Sequence, residues 1–406
     1  MPDQHALLAP SAAKRWMTCH PSALLEAQEP EKDTVYTKEG TIAHAAGELF
    51  LAFYRDRHFL PATDVLKEIE AWRPDAGPGV KLFALQKEAE DLGLDFIEIL
   101  VTVHDNYVVP VIMDYYETQK ADPEARLFIE ERLNLKAFIP EGFGSSDAII
   151  LGNRQLKVYD LKYGKGVKVS AHDNPQMSCY ALGALVGPGE LAPVDTVHMV
   201  IVQPRLQHVS SVSIAAPALL QWGFSVLRPE AEKAFRGEGD LVPGEHCRFC
   251  AVAPRCRALV ARAQSLSVKA GDPQLLSNEE LSEVLGDVDQ ILSWCEKVKA
   301  YALEKMLDGE SFPGFKVVEG KSVRQITDPA GAMKALQEAG FEESSYIRPK
   351  ELKTLGDLGK LLGKKGLDLV LGKFITKPAG KPTLAPDTDP RPAYNSATTD
   401  FDNINP

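Results

Sequence analysis

The spacing of apolar and polar positions divides the chain into stretches of different period. Residues 1–60 carry helical spacing, with Ser11 placed to cap one helix and Gly40 or Thr41 to start another through AHAAGELFLAF. Residues 62–125, including AEDLGLDFIEILVTVHDNYVVPVIMDYYETQ, continue in long apolar stretches with few breakers and predict further helix. The period then shortens. ARLFIEERLNL, SDAIILG, LKVYDLKYG and VDTVHMVIVQPR are short, rich in β-branched and aromatic residues and bounded by Gly, Asn or Pro, which predicts strands. Between the last two, NPQMSCYALGALV predicts a helix capped by Asn174 with Pro175 at its first position. Three strands, a helix and a strand place the core in the α/β class, as an α+β or mixed α/β layer and not an all-β sandwich.

From about 266 to 340 the spacing is helical again, as in NEELSEVLGDVDQILSWCEKVKAYALEKML. The most basic long segment follows, with Lys350, Lys353, Lys360, Lys364, Lys365, Lys373 and Lys377. It reads either as an arm for duplex phosphates or as a solvated helical face. The last thirty residues carry six prolines and little apolar content, so 377–406 is expected to be an acidic, disordered tail. Its TTDFDNINP tip has the composition of a docking segment for a basic pocket on a replication or recombination partner. The expected division is 1–265, 266–376 and 377–406.

The candidate chemistry sits on a hairpin. In SDAIILGNRQLKVYDLKYGKG, Gly152-Asn153 separates two alternating runs and marks the turn. Alternation puts Asp160 and Lys162 on one face and turns Tyr159 and Leu161 into packing. Folding the hairpin brings Asp147 close to Asp160. Two carboxylates there make a hard oxygen site for Mg²⁺ or Mn²⁺, and the lysine is placed to orient water for attack on a phosphodiester. Taken alone, the same residues describe an exposed Asp–Lys pair of little energetic value. Gln176 and Tyr180, at i and i+4, share a face of the next helix. His44 and Glu48 have the same spacing near a helix start, and a neutral imidazole suits Mn²⁺ as a further ligand.

The 406 residues carry 45 basic and 57 acidic side chains, a net charge of −12, which argues against holding nucleic acid by bulk electrostatics. A local basic groove is still compatible, because fields are screened beyond about 10 Å. No apolar run is read as approaching the roughly 20 residues of a bilayer span, and the N-terminus lacks a secretory pattern, so the expected location is the cytoplasm, with no membrane partner. Three of six cysteines, Cys247, Cys250 and Cys256, fall within ten residues, which in a reducing compartment points to metal.

Gly40-Thr41-x-x-His44, Gly144-x-x-Asp147, Asp160-Leu161-Lys162 and Gln176-x-x-x-Tyr180, in this order, resemble the PD-(D/E)XK nuclease superfamily, in its RecB-like exonuclease branch. The resemblance implies a restriction-endonuclease-like mixed sheet flanked by helices. It also implies that His44, Asp147 and Asp160 bind the metal, Lys162 assists the nucleophilic water, and Gln176 and Tyr180 support the site. Asp160 stands where many relatives carry Glu. Some relatives add an acid from the preceding strand, and Glu130 and Glu131 are equal candidates for it.

Cys19 with Cys247-x₂-Cys250-x₅-Cys256 resembles the four-cysteine pattern of iron–sulfur nucleases such as AddB, where it holds a structural [4Fe–4S] cluster that ties together the two ends of the domain. Zinc, with His246 as a fifth candidate ligand, and plain buried cysteines are the alternatives. Cys179 and Cys295 read as core residues. LLAPSAAKRWMTCHPSALLE and GKPTLAPDTDPRPA also look like a phage and prophage family usually assigned to this nuclease group. Together these imply a Mg²⁺- or Mn²⁺-dependent DNA exonuclease of the bacterial host cytoplasm, acting on linear duplex or single-stranded ends in recombination, beside a single-strand annealing protein. A non-cleaving DNA-binding module and a zinc-stabilised phage structural or assembly protein are the competing readings.

Overall fold

β-branched and aromatic residues between turn formers pair into one five-stranded sheet in the order β1-β2-β3-β4-β5, with β1 Arg126–Asn134, β2 Phe143–Gly152, β3 Gln155–Leu161, β4 Thr196–Gln203 and β5 His208–Ala215. This computed structural model describes residues 6–30, 34–57, 78–265, 277–322, 324–348, 351–352, 354–376, 378, 380, 382–386 and 391–394. β1–β2, β2–β3 and β4–β5 are antiparallel and β3–β4 is parallel, so the sheet is mixed. The parallel pair requires a crossover, which the helix Pro175–Leu185 supplies. Its cap is as expected, with the Asn174 side chain accepting from the Gln176 and Met177 N–H groups and Pro175 opening the first turn. The hairpin turn lies one residue later than predicted. Gly152 pairs with Gln155, and Asn153 and Arg154, at φ 50° and 57°, form a two-residue turn in the left-handed backbone region, whose geometry matches the right-handed twist of the strands.

One layer of helices covers each face. On one side the helices Val35–Arg57, Pro78–Asp91 and the run Phe96–Ala121 pack with Ala148, Ile150, Tyr159 and Leu161. On the other, Trp16, Met177, Leu182, Leu219 and Ala231 pack with Ile149, Val158 and Ile201. The run Phe96–Ala121 corrects one expectation, since it is long and apolar enough to span a bilayer. Phe96, Ile99, Leu100, Val103, Tyr107, Val111 and Ile112 of that run are nevertheless spent in the core.

Two helix starts also differ. The helix carrying His44 begins at Val35, not at Gly40 or Thr41, because the Thr34 hydroxyl accepts from the Thr37 N–H and supplies the cap upstream. Ser11 falls inside a 3₁₀ turn, Pro10–Ala12, and the following helix has no side-chain cap.

The chain divides into two compact units, 1–290 and 291–406, a later boundary than the expected 265. Residues 58–77 and 266–276, expected to be at least partly helical, lie outside the described residues. The second unit has its own small core of Ala332, Leu336, Tyr346, Leu358, Leu367, Leu371 and Phe374. Leu358, Leu367, Leu371 and Phe374 come from the lysine-rich segment, so that segment is structural on one side. Lys350, Lys353, Lys377 and the side chains of Lys360, Lys364 and Lys365 lie outside the description. Part of the expected tail is ordered. Pro382–Pro386 pairs antiparallel with Phe315–Glu319, because Thr383 and Leu384 fit a ladder with Val318 and Val317. The TTDFDNINP tip lies outside the described residues.

Candidate metal centre

The register puts three carboxylates in one row. Ile129 pairs with Ala148 and Glu131 with Ser146, so Glu130 falls across from Asp147. Ala148 pairs with Tyr159, so one further step places Asp147 across from Asp160. Like charges directly opposite each other destabilise a sheet, and this row carries three with no interruption. Glu130 sits there at φ 48°, a left-handed conformation that costs a non-glycine residue strain.

Asp147 and Asp160 have hydrogen-bond partners. The Asp147 Oδ1 lies 3.1 Å from His44 Nδ1, and its Oδ2 accepts the Leu161 backbone N–H at 2.6 Å. The Asp160 Oδ1 accepts from Lys162 Nζ at 3.2 Å and from Gln176 Nε2 at 3.1 Å. Gln176 Nε2 also lies 3.4 Å from the Tyr180 hydroxyl. The Asp160 Oδ2 is buried, and although Lys162 Nζ approaches to 2.9 Å, it accepts no hydrogen bond. The helical amide and phenol therefore brace Asp160 and leave the lysine to the acid alone. Gly144 of the Gly-x-x-Asp motif has a steric reason: a Cβ there would stand 3.1 Å from the Tyr180 ring and 3.0 Å from Pro10.

Crowding and burial shift the protonation of Glu130, Asp160 and His44. Burial, then the Asp147 charge, push Glu130 up to about 7 against the pull of His44. Burial raises Asp160 to about 6 although Lys162 opposes it. Burial works to lower His44, but the Asp147 carboxylate outweighs it and holds the imidazole at about 9. Unneutralised acids thus hold protons they would ordinarily release.

The ligand atoms of His44, Glu130 and Asp147 all lie within 4.8 Å of one another. An octahedral site with bonds near 2.1 Å needs its ligand atoms about 3 to 4 Å apart, so this set fits Mg²⁺ or Mn²⁺ in spacing and in donor type. The structure thus chooses Glu130 over Glu131, which lies across from Ser146. Asp160, expected as a ligand, lies beside this group and not within it. Glu48 stands 3.8 Å from Lys81 Nζ and adds its charge to the field at Glu130.

One neighbour was not anticipated. Tyr107 is buried in a π-helical turn, His104–Val108, and its hydroxyl has no hydrogen-bond partner among the described residues. Burial and the charges of Asp147, Glu130 and Asp160 raise it well above the usual phenol range. Gly47 admits it, since a Cβ there would touch the Tyr107 ring at 3.4 Å. The sequence signal available was the polar interruption His104-Asp105-Asn106-Tyr107 in an apolar run.

The cysteines form a second locus. Cys19 follows the helix Ala13–Thr18, Cys247 lies in the 3₁₀ turn Glu245–Phe249, and Cys250 and Cys256 follow it. The Cys19 sulfur accepts the Val242 N–H at 3.5 Å, and the Cys247 sulfur accepts the Gly244 N–H at 3.4 Å. Burial, then the charges of Cys247 and Cys256, raise the Cys19 thiol, and burial and Glu26 push Cys250 up to about 12. Among the described residues no three cysteine sulfurs lie within 4.8 Å of one another. A zinc ion with bonds near 2.3 Å holds its thiolates about 3.8 Å apart, so the cysteines are not arranged as a closed zinc site, and they are not arranged as an iron–sulfur site either. His246 donates its Nε2–H to the Val242 carbonyl at 2.9 Å. The two segments are already joined: the Glu26 carboxylate, ion-paired with Arg15 at 2.5 Å, accepts the Ala251 N–H at 2.8 Å, and Arg255 pairs with Glu29. Cys179 is a core residue as expected, whereas Cys295 is half-buried.

The molecule is thus an α+β protein with an acidic, histidine-containing cluster on a mixed sheet whose spacing could hold a cation. Residues 5–392 match the DUF2800 family, described as proteins of unknown function, and the chain belongs to that family. Among solved structures it is similar to one described as "Crystal structure of SSO0001", at 11% identity over 60% of this chain and 96% of that one. The TM-score is 0.20, too slight to bear on the fold.

Proposed function

We propose that this chain is a metal-dependent deoxyribonuclease of the PD-(D/E)XK type that hydrolyses phosphodiester bonds at DNA ends. The observation that carries the reading is the row Glu130, Asp147, Asp160 with His44 and Lys162 beside it: one buried and two half-buried acids in a single row, with a histidine in reach, make a set of donors suited to an external cation. His44, Glu130 and Asp147 would hold the ion, which when bound supplies Lewis-acid polarisation of the phosphodiester and of water. Asp160 fixes the Lys162 ammonium through its Oδ1, and Gln176 fixes Asp160. Lys162 orients the attacking water and offsets charge developing on the phosphoryl oxygens. The sequence order of the four motifs and the crossover helix carrying Gln176 and Tyr180 support the same reading.

A [4Fe–4S] cluster on Cys19, Cys247, Cys250 and Cys256 belongs to the proposal as a structural element. Backbone N–H groups directed at two of the sulfurs suit thiolate ligands.

The test is Mg²⁺- and Mn²⁺-dependent digestion of end-labelled linear duplex DNA by anaerobically purified protein and by its Asp160→Ala variant. Loss of label with the wild type alone is expected. Equal digestion by both, or none on duplex or single strands by cluster-intact protein, would overturn the assignment.

A further inference from the structure

β3 delivers Asp160 and Lys162 to the site and then leads directly into the exposed loop Gly164-Lys165-Gly166-Val167-Lys168. Both ends of this loop are fixed. At its start the Tyr163 ring is buried, with the Arg205 guanidinium 4.9 Å from its centre, and Arg205 is ion-paired to Glu39 of the His44 helix at 2.7 Å. At its end Gln203, 2% exposed, uses both ends of its amide on the loop backbone. It accepts the Val169 N–H at 2.6 Å and donates to the Val167 carbonyl at 2.9 Å. His208 donates to the Val169 carbonyl at 3.2 Å, and the Ser210 hydroxyl accepts the Ala171 N–H at 2.9 Å.

A buried amide held this way on a surface loop fixes the position of what the loop carries. It carries two lysines that make no ion pair among the described residues, on a chain of net charge −12. Three residues separate Lys165 from Lys162, at most about 11 Å of backbone. Phosphates follow each other about every 3.4 Å of helix axis along one DNA strand, so Lys165 reaches those adjoining a phosphate held at Lys162.

We infer that the Gly164–Lys168 loop is a clamp for the phosphate backbone of a DNA strand, with Lys165 and Lys168 engaging phosphates that adjoin the scissile one. The inference rests on the nuclease reading and adds how the substrate strand is held. The two glycines leave space for the strand, since a Cβ at Gly164 or Gly166 would meet nothing within 4 Å. The clamp also explains how an acidic protein holds a polyanion, through local cations set in position at the reacting bond.

The test compares the full chain carrying Asp160→Ala, to stop cleavage, with the same chain also carrying Lys165→Ala and Lys168→Ala. Binding of a fluorescent linear duplex is measured by anisotropy in Mg²⁺ across a series of salt concentrations. Loss of two phosphate contacts is expected to weaken binding about tenfold and to flatten the slope of log K against log salt by about 1.8. Lys165→Arg with Lys168→Arg should retain the parent slope. Equal affinity and slope in the double alanine variant would overturn the clamp, and with wild-type cleavage intact the nuclease reading would stand. A parent that neither binds nor, as wild type, cuts DNA would overturn both.

Discussion

β3 carries two carboxylate arrangements on alternate residues, and they are built on opposite principles. On one face Lys157 and Tyr159 both reach Asp114: Lys157 Nζ is 2.6 Å from its Oδ1 and the Tyr159 hydroxyl donates to its Oδ2 at 2.5 Å. Both oxygens are satisfied and the charge is neutralised within the protein. On the other face Asp160 is aligned with Asp147 and Glu130, one of its oxygens accepts no hydrogen bond, and two of the three acids are pushed toward protonation. One strand thus shows what a structural carboxylate looks like here, and the row departs from it in the acids set side by side and in the Asp160 oxygen that accepts no hydrogen bond among the described residues. The first arrangement closes on itself; the second has the donors to take up a cation from outside.

The same kind of substitution should therefore have opposite consequences on the two faces. The largest effect is expected from Lys162→Ala, which should lower cleavage by about 10² to 10³-fold in single-turnover assays, the scale for removing one preorganised charge stabiliser. Its melting temperature should hardly move, because Asp160 without its ammonium can take up a proton. Wild-type cleavage by this variant would remove the distinction between the faces.

Next in size is Asp114→Ala, which strands the half-buried Lys157 ammonium and the Tyr159 hydroxyl. Denaturant unfolding should show a loss of about 2 kcal/mol, below the range for fully buried pairs because both groups are partly solvated. Cleavage per folded molecule should be retained.

The smallest effect sharpens the contrast most. Glu130→Gln removes one charge from the row and should stabilise the metal-free protein while abolishing its stabilisation by Mg²⁺. The pH dependence has the same origin. Glu130 and Asp160 have folded values above their unfolded ones, so the stability they contribute is present below about pH 4 and is lost as pH rises to about 7. His44, raised from 6.5 to about 9, adds stability that is present below pH 6.5 and lost as pH rises through 9. Metal-free protein should accordingly melt lower at pH 9 than at pH 6, and Mg²⁺ or Mn²⁺ should recover more at pH 9. Melting curves with the same pH dependence with and without metal would contradict the cation site.

Period-two alternation made the hairpin legible, because Asp160 and Lys162 two residues apart must share a face; the exact register with Asp147 was not, since the turn falls at Asn153-Arg154 and not at Gly152-Asn153. The choice of Glu130 over Glu131 was not legible. It depends on a non-glycine residue held at positive φ, which leaves no mark in residue type. The start of the His44 helix was misplaced because a threonine hydroxyl seven residues upstream of Thr41 supplied the cap. Tyr107 was hidden in a run whose apolar character dominates its pattern, and only the π-turn shows that its hydroxyl approaches the acids. The Pro382–Pro386 strand escaped notice because proline content argues against a strand, although this one is paired on an edge where missing N–H donors are tolerated.

The contacts that join Lys14 to Glu245, Glu26 to Ala251 and Glu29 to Arg255 span more than 220 residues of sequence. On the ribosome, at about 5 to 20 residues per second, roughly 12 to 46 s pass between synthesis of the first partner and of the last. The opening helices are therefore made well before these partners. Throughout that interval Cys19 is without Cys247 and Cys256, so the four cysteines can come together only after Cys256 has been made.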